Sequence, residues 1–267
     1  MSIVFRQILI VSVKKLYSMK PFFSIIIATY NSELTLQRTL DSIITSDFKD
    51  YEIIIVDGLS TDSTLEIIRK NNIFIATVIS EYDTGIYDAW NKGVLISKGE
   101  WIMFVGSDDL LTENSLQNYY EFVNASKNKL DYVSSRVQLI DEKQNVLRTI
   151  GRPWEWKKFR KYMCVAHVGS IHHNGLYKKY GLYDTDYKII GDYEFLLRAG
   201  ANLKTGYIEK ITAQMQIGGI SNINKNVFFE TLKAKITTNS RGILLAKYDE
   251  LIAKIIFYTR NVLLNKK

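Results

Sequence analysis

The chain has 267 residues, 46 % hydrophobic and 24 % charged, with two prolines and no low-complexity run, which suits one globular domain with an elaborated end and excludes a long linker. A single cysteine, Cys164, excludes an intramolecular disulfide and fits a reducing compartment. The formal charge of +7 sits at the ends: Arg6, Lys14, Lys15 and Lys20 face no acid in the first 20 residues, nine Lys or Arg face Glu230, Asp249 and Glu250 from 224 onward, and the middle is net −3. A nucleic-acid binder carries its basic charge on the folded domain, so nucleic acid is not an expected partner; basic ends with apolar faces suit an anionic membrane surface.

The opening stretch, Ile3 to Val13, is apolar but broken by Arg6 and Gln7. It is too short to span a bilayer, which needs roughly 18 apolar residues, and reads as an amphipathic extension over 1–20 or as sequence ahead of a start at Met19. Ser24 to Tyr30 (SIIIATY) reads as a buried strand, and from Asn31 a helix carries Leu34, Leu36, Leu40, Ile43 and Ile44. Tyr51 to Asp57 (YEIIIVD) is a second buried strand, followed by a polar turn and a helix to about Lys70, with Ser63 and Glu66 spaced as a capping box. Phe74 to Ser80 is a third strand, a helix runs from near Thr84 to Lys98, and Trp101 to Val105 is a fourth strand. Strand and helix alternate four times, the signature of a parallel sheet with right-handed crossovers.

After Asp109 the regularity changes. A helix is expected over Ser115 to Ser126, a hairpin from Tyr132–Leu139 and Val146–Ile150 about the turn Asp141–Asn145, a helix over Asp192 to Ala199, and a strand over Ile211 to Ile217. From Asn226 the chain reads as helical. In the last helix Tyr248, Leu251, Ile252, Ile255, Thr259, Val262 and Leu263 form one apolar face, fit either to pack on the core or to lie against a membrane.

The first, second and fourth strands each end in groups able to hold a nucleotide: Thr29-Tyr30-Asn31, Asp57, and Asp108-Asp109. Ligands bind at the carboxyl ends of strands in open α/β sheets, where an acid accepts from a base or ribose and a carboxylate pair holds a hard cation against a diphosphate. Asn91 and Lys92 add to this nucleotide-diphosphate site. The competing reading of Asp108-Asp109 is a solvated turn, and that of Asp192 a plain helix cap. No Gly-x-Gly-x-x-Gly or Walker loop is present. Cys164, His167 and His172 suggest zinc only weakly, because a structural site needs four ligands.

The segments SIIIATYN (24–31), IIIVDGLSTDST (53–64), SEYDTGIYDAWNKG (80–93), KGEWIMFVGSDD (98–109) and GDYEFLLRAG (191–200) resemble, in order and spacing, the family-two glycosyltransferases. AHVGSIHHNGLYKKYG (166–181) and MQIGGISN (215–222) extend the likeness to the branch that builds bacterial surface polysaccharides such as O-antigen and capsule. The resemblance implies an α/β fold of the A type (GT-A): a Rossmann-like nucleotide-sugar-binding domain with a mostly parallel sheet flanked by helices. The domain would occupy 21–223, with a nucleotide-binding half (21–110) and an acceptor-binding half (111–223), before a basic helical tail (224–267).

By the same resemblance Thr29, Tyr30, Asn31 and Glu33 border the nucleoside, Asp57 contacts the base, and Asp83 and Lys92 of the long motif join the nucleotide site. Asp108 approaches the ribose and metal, Asp109 coordinates Mg or Mn, and Asp192 is the general base of an inverting displacement. His167, His172 and Trp154 would face the acceptor or the diphosphate. The implied donor is a nucleotide-diphosphate sugar, foremost a UDP-sugar, and the acceptor an oligosaccharide on polyprenyl diphosphate at the cytoplasmic, inner face of the cell membrane, where the enzyme would be peripheral. Two positions depart from the family pattern: Gly106 stands where many relatives have an additional Asp, and Gly191 where a Glu commonly precedes the base. The alternatives are a non-catalytic scaffold of the same fold and a nucleotidyltransferase, whose Gly-rich basic loop is missing from Thr29 to Glu33.

Overall fold

The computed structural model describes residues 20–218 and 224–264, the last five of these by backbone alone. The expected N-terminal extension, the end of MQIGGISN, and the side chains of Val262 and Leu263 lie outside the described residues.

Strands β1 (Phe23–Thr29), β2 (Tyr51–Asp57) and β4 (Trp101–Gly106) are apolar on both faces, so they occupy the middle of a sheet covered on both sides. β1 pairs in parallel with β2 and β4, and β3 (Thr77–Ser80) adds in parallel outside β2. Alternation then divides one strand between two cores. Ile25, Ile27, Ile53 and Ile55 meet Leu36, Leu40 and Ile43 of α1 (Leu36–Ile44), while Ile26, Ile54 and Val56 meet Tyr87, Trp90 and Val94 of α3 (Ile86–Ile96). Gly93 makes the second contact possible, since a Cβ there would stand 2.6 Å from Ile26 Cγ2. A short helix α2 (Thr64–Lys70) links β2 to β3.

The second half of the sheet is mixed. β8 (Ser170–His173) runs antiparallel to β4 and to β6 (Tyr132–Ile140), β6 pairs antiparallel with β7 (Val146–Ile150) and in parallel with β9 (Thr205–Gln216), and the two-residue β5 (Leu110–Leu111) closes on β9. Four strand pairings are parallel and four antiparallel, so the expected mostly parallel sheet is corrected to a mixed one. The expected hairpin forms as β6 and β7, and the helix after Asp109 as α4 (Ser115–Ala125).

Some boundaries also differ. α1 starts at Leu36, which leaves Leu34 exposed rather than on the apolar face. β3 is shorter than expected because the amide of Phe74 turns back to the carbonyl of Asn71. β9 is longer, since register shifts against β6 around Arg136 interrupt the alternation that marks a strand in sequence.

Helices α5 (Trp156–Phe159) and α6 (Gly175–Tyr180) flank β8, and α7 (Gly191–Ala199) is buried through Tyr193, Phe195, Leu196 and Leu197. Helix α8 (Asn226–Thr237) packs on α7, and its Ala234 belongs to the same core. The Glu230 carboxylate of α8 accepts the backbone N–H groups of Lys188, Ile189 and Ile190, the donors immediately ahead of α7. Helix α9 (Ile243–Leu264) is fastened to α8 by Asp249, which takes Lys235 at 3.2 Å and both Nε and Nη2 of Arg241.

Candidate active site

The parallel register sets Thr29 beside Asp57 and Asp57 beside Ser80, so the carboxyl ends of β1, β2 and β3 lie abreast. Asp57 binds them together. Its Oδ1 accepts from the hydroxyls of Thr29 (3.1 Å) and Ser60, and its Oδ2 from the Ser60 amide (3.1 Å) and the Ser80 hydroxyl (2.7 Å). A carboxylate offers about four acceptor directions, so all are filled from within the chain, and a base N–H would have to displace one of these donors.

Above this floor Tyr30 is 64 % exposed, its ring beside Gly58, where a Cβ would stand 3.4 Å from the ring and 2.7 Å from Asp83 Oδ2. Tyr30, Gly58 and Asp83 thus form one wall that a side chain at 58 would break. Burial pushes the Asp83 carboxyl up, Lys92 opposes this, and Asp88 and Asp57 add to it. Asn31 adopts φ +48°, and its Oδ1 accepts from the Thr61 amide at 2.9 Å. Ser32 and Ser107 share a 2.8 Å hydrogen bond that ties the end of β1 to the turn after β4.

At that turn Asp109 is buried, accepting from the amides of Gly106 (3.2 Å) and Gln216 (3.3 Å), while Asp108 is exposed. A Cβ on Gly106 would stand 2.6 Å from Asp109 Oδ2 and 2.9 Å from Asp108 Oδ1. The two carboxylates therefore occupy the volume that an Asp at 106 would need. Burial, with the Asp108 charge adding to it, pushes the Asp109 carboxyl up to about 7. The Asp108 carboxyl is raised too, by partial desolvation against the turn although the residue as a whole is exposed, which its own backbone amide and Arg38 partly offset. Neither forms a salt bridge among the described residues. Converging, cation-starved carboxylates of this kind fit a divalent ion. No cluster of three or more His, Cys, Asp or Glu suited to a metal occurs among the described residues; Asp108 and Asp109 are the two carboxylates that converge here.

Asp192 sits in the first turn of α7, and Ile190 holds the cap position. Its Oδ1 accepts from the Tyr87 hydroxyl of α3 at 3.1 Å, so the plain helix-cap reading does not hold. Asp192 lines a cavity of about 310 Å³ whose other walls include Met163, Ile190, Phe228, Lys235 and Ala253.

The sequence profile described as "Glycosyl transferase family 2" matches residues 24–182. A "PGL/p-HBAD biosynthesis glycosyltransferase" of Mycobacterium bovis is 33 % identical over 215 residues, covering 76 % of this chain and 80 % of that protein. The chain belongs to glycosyl transferase family 2. An Escherichia coli relative, "UDP-Glc:alpha-D-GlcNAc-diphosphoundecaprenol beta-1,3-glucosyltransferase WfaP", is 37 % identical over 105 residues, 39 % of this chain and 42 % of that one. Among solved structures, S. aureus TarS 1–349 in complex with UDP-GlcNAc aligns with TM-score 0.67 at 20 % identity, over 87 % of this chain and 70 % of that one. The Pyrobaculum calidifontis mannosyltransferase PcManGT in complex with GDP-Man and Mn2+ aligns at 0.58 and 16 %, over 86 % and 70 %. These two likenesses are of fold, the GT-A fold.

In this glycosyltransferase several expected site residues prove to be engaged elsewhere. Lys92 contacts Glu81 (3.0 Å), the Tyr82 carbonyl (2.7 Å) and Asp88 (3.7 Å), and so clasps residues 81–88. Asn91 exchanges two hydrogen bonds with the Tyr183 backbone. Glu33 accepts from the Ser63 amide (2.8 Å) and so caps α2 together with Asp62, which takes the Thr64 amide; the expected Ser63–Glu66 box does not form, and Glu66 pairs with Lys70.

His172 is a core residue among Phe104, Tyr132 and Tyr177, and burial holds it well below its usual range. His167 stacks on Trp90 at 4.7 Å, with its Nε2 buried and unpartnered among the described residues; burial lowers it and Asp192 opposes. Trp154 packs on Phe159 and Trp156, which engages the ring expected to meet a sugar. The sequence reading missed Ser60, Ser80 and Tyr87. The long 80–93 motif was the signal for Tyr87, but its chemistry was sought in the charged residues.

Proposed function

We propose that this glycosyltransferase moves a sugar from a nucleotide-diphosphate donor, foremost a UDP-sugar, to a hydroxyl of a lipid-linked acceptor, with inversion at the anomeric carbon and Asp192 as general base. The observation that carries this reading is the placing of Asp192 on the wall of the 310 Å³ cavity, with one carboxylate oxygen held by Tyr87. An acceptor hydroxyl entering the cavity gives its proton to the carboxylate as its oxygen bonds to the anomeric carbon, and the bond to the diphosphate breaks with its electron pair leaving on the nucleotide. One base suffices, since no glycosyl-enzyme intermediate forms. Tyr30 covers the nucleoside and Asn31 and Asp83 border it, while Asp57 keeps the strand ends that carry them in register.

Asp108 and Asp109 would hold Mg or Mn. Such an ion supplies charge neutralisation for the departing diphosphate. WfaP's name gives a UDP-glucose donor and a diphosphoundecaprenol acceptor, and TarS is described with UDP-GlcNAc, which supports a uridine donor and a lipid-linked acceptor for this chain.

The same acceptor favours a membrane-apposed enzyme. Helix α9 turns Ala246 and Asp249 inward and leaves Leu244, Tyr248, Leu251 and Ile255 exposed along the opposite side, flanked by Lys247 and Lys254. No helix among the described residues is long and apolar enough to cross a membrane; α9 would lie along an anionic surface.

The deciding experiment is thermal unfolding with a panel of UDP-, GDP- and dTDP-sugars, with and without Mn, in wild type and Asp192→Asn. The reading expects one nucleotide class to raise the midpoint in a Mn-dependent way in both proteins, while turnover falls by about 10²–10⁴-fold in the variant. Turnover that survives Asp192→Asn would remove Asp192 from the base's role.

A further inference from the structure

Gly191 and Tyr87 explain each other. A Cβ at 191 would stand 2.9 Å from both Cδ2 and Cε2 of the Tyr87 ring, closer than carbon atoms approach. The ring lies in the space where a larger residue at 191 would begin, and from there its hydroxyl reaches Asp192 Oδ1 at 3.1 Å, across 105 residues of sequence. Tyr87 is 4 % exposed and held edge-to-face by Trp90 at 5.3 Å and by the tilted ring of Tyr183 at 5.7 Å, so its hydroxyl is aimed before any substrate arrives. The other carboxylate oxygen, Oδ2, makes no hydrogen bond among the described residues.

We infer that Tyr87 is a positioning residue for Asp192: its hydroxyl fixes the carboxylate through one oxygen, leaves the other free for the acceptor's proton, and depends on Gly191 for access. The inference rests on Asp192 being the base. Tyr87 keeps its own proton throughout, because burial, with the Asp192 charge adding to it, raises the phenol well above its usual range. A donor that cannot itself ionise stabilises the charged carboxylate at every working pH.

The other titratable groups near Asp192 come from several elements. His167 precedes β8, Tyr132 lies on β6 and Tyr183 follows α6, each interacting with the Asp192 charge. Lys161, Tyr162, Tyr193, Lys235, Asp249 and Glu250 share its cavity. Only Tyr87 donates to it among the described residues.

The test is the pH titration of the Asp192 carboxyl carbon by NMR, its resonance assigned by loss in Asp192→Asn. In Tyr87→Phe, which keeps the ring and deletes the donor, the titration midpoint is expected to move up by about one pH unit, the scale of one hydrogen bond to a charged group. Gly191→Ala, which keeps the hydroxyl and pushes the ring away, is expected to move it the same way. The double variant should move it no further than the larger single change, as expected of residues acting through one contact. An unmoved midpoint in a folded Tyr87→Phe protein overturns the inference; should that variant not fold, Gly191→Ala decides alike. Turnover in Asp192→Asn separates the two levels: its survival defeats the base assignment, whereas its loss beside an unmoved midpoint defeats only the role of Tyr87.

Discussion

The carboxylates of Asp108 and Asp109 converge over Gly106, the nearest oxygen of each within 3 Å of where a Cβ would be. Glycine here is what lets two acids share a site. Gly106→Ala should force the carboxylates apart and remove most of the rise in unfolding temperature that Mn gives the wild type, a rise worth about 2.7 kcal/mol when Mn is at a hundred times its Kd. Calorimetry with and without Mn checks this; an undiminished shift would place the ion elsewhere.

Asp109 makes stability depend on pH in a definite direction. In the unfolded chain its carboxyl releases the proton near the ordinary aspartate value of 3.8, whereas burial in the fold makes it hold the proton to about 7. Between those values the folded state binds more protons, so stability falls as pH rises, by at most the order of 4 kcal/mol from this group. Urea unfolding without metal should show Asp109→Asn gaining on the wild type from pH 4 to pH 7. Mn should bind the wild type more weakly at pH 5.5 than at pH 8, because it then competes with a proton.

Asp57→Asn keeps the shape but turns one acceptor into a donor facing the hydroxyls or amide that Asp57 now receives. Buried donors left unmatched cost about 1–3 kcal/mol each, more beside a former charge, so a loss of about 2–4 kcal/mol is expected in urea unfolding. A loss below 0.5 kcal/mol would mean that this cluster does not hold the strand ends.

Leu244→Glu combined with Leu251→Glu changes only exposed positions of α9. The unfolding temperature should stay within about 2 °C of wild type, as surface changes usually cost little. Sedimentation with vesicles rich in anionic lipid should fall at least several-fold. Unchanged sedimentation would assign the apolar side of α9 to another partner.

The nucleotide-binding half was legible because its strands are buried on both faces, and such strands appear in sequence as unbroken apolar runs bounded by turn residues. β1, β2 and β4 were found within about one residue for that reason. β9 was half legible, since its opening residues are partly solvated and its register slips against β6. At the site, Lys92 was read as ligand-binding by its chemistry and its place before β4, and Glu33 and His172 by the resemblance to the family. Glu33 is satisfied by Ser63, 30 residues on, and His172 is enclosed by Phe104 and Tyr132, which no local pattern reveals; Lys92 is held by its own neighbourhood, Glu81, Tyr82 and Asp88. The glycines carried the complementary information: Gly58, Gly106 and Gly191 each mark a place where another residue's polar atom or ring comes too close for a Cβ.

The four donors gathered on Asp57 bear on how quickly and how selectively a donor sugar is captured. A loop that had to order itself around a nucleotide would surrender about 0.5–1.5 kcal/mol per immobilised side chain at that moment. Thr29, Ser60 and Ser80 have made that sacrifice already, during folding. A nucleotide bound at this rim, as proposed, would meet a template that is already rigid, which favours rapid capture. With its acceptor directions occupied, Asp57 would have to release one of these donors before it could accept from the edge of a base.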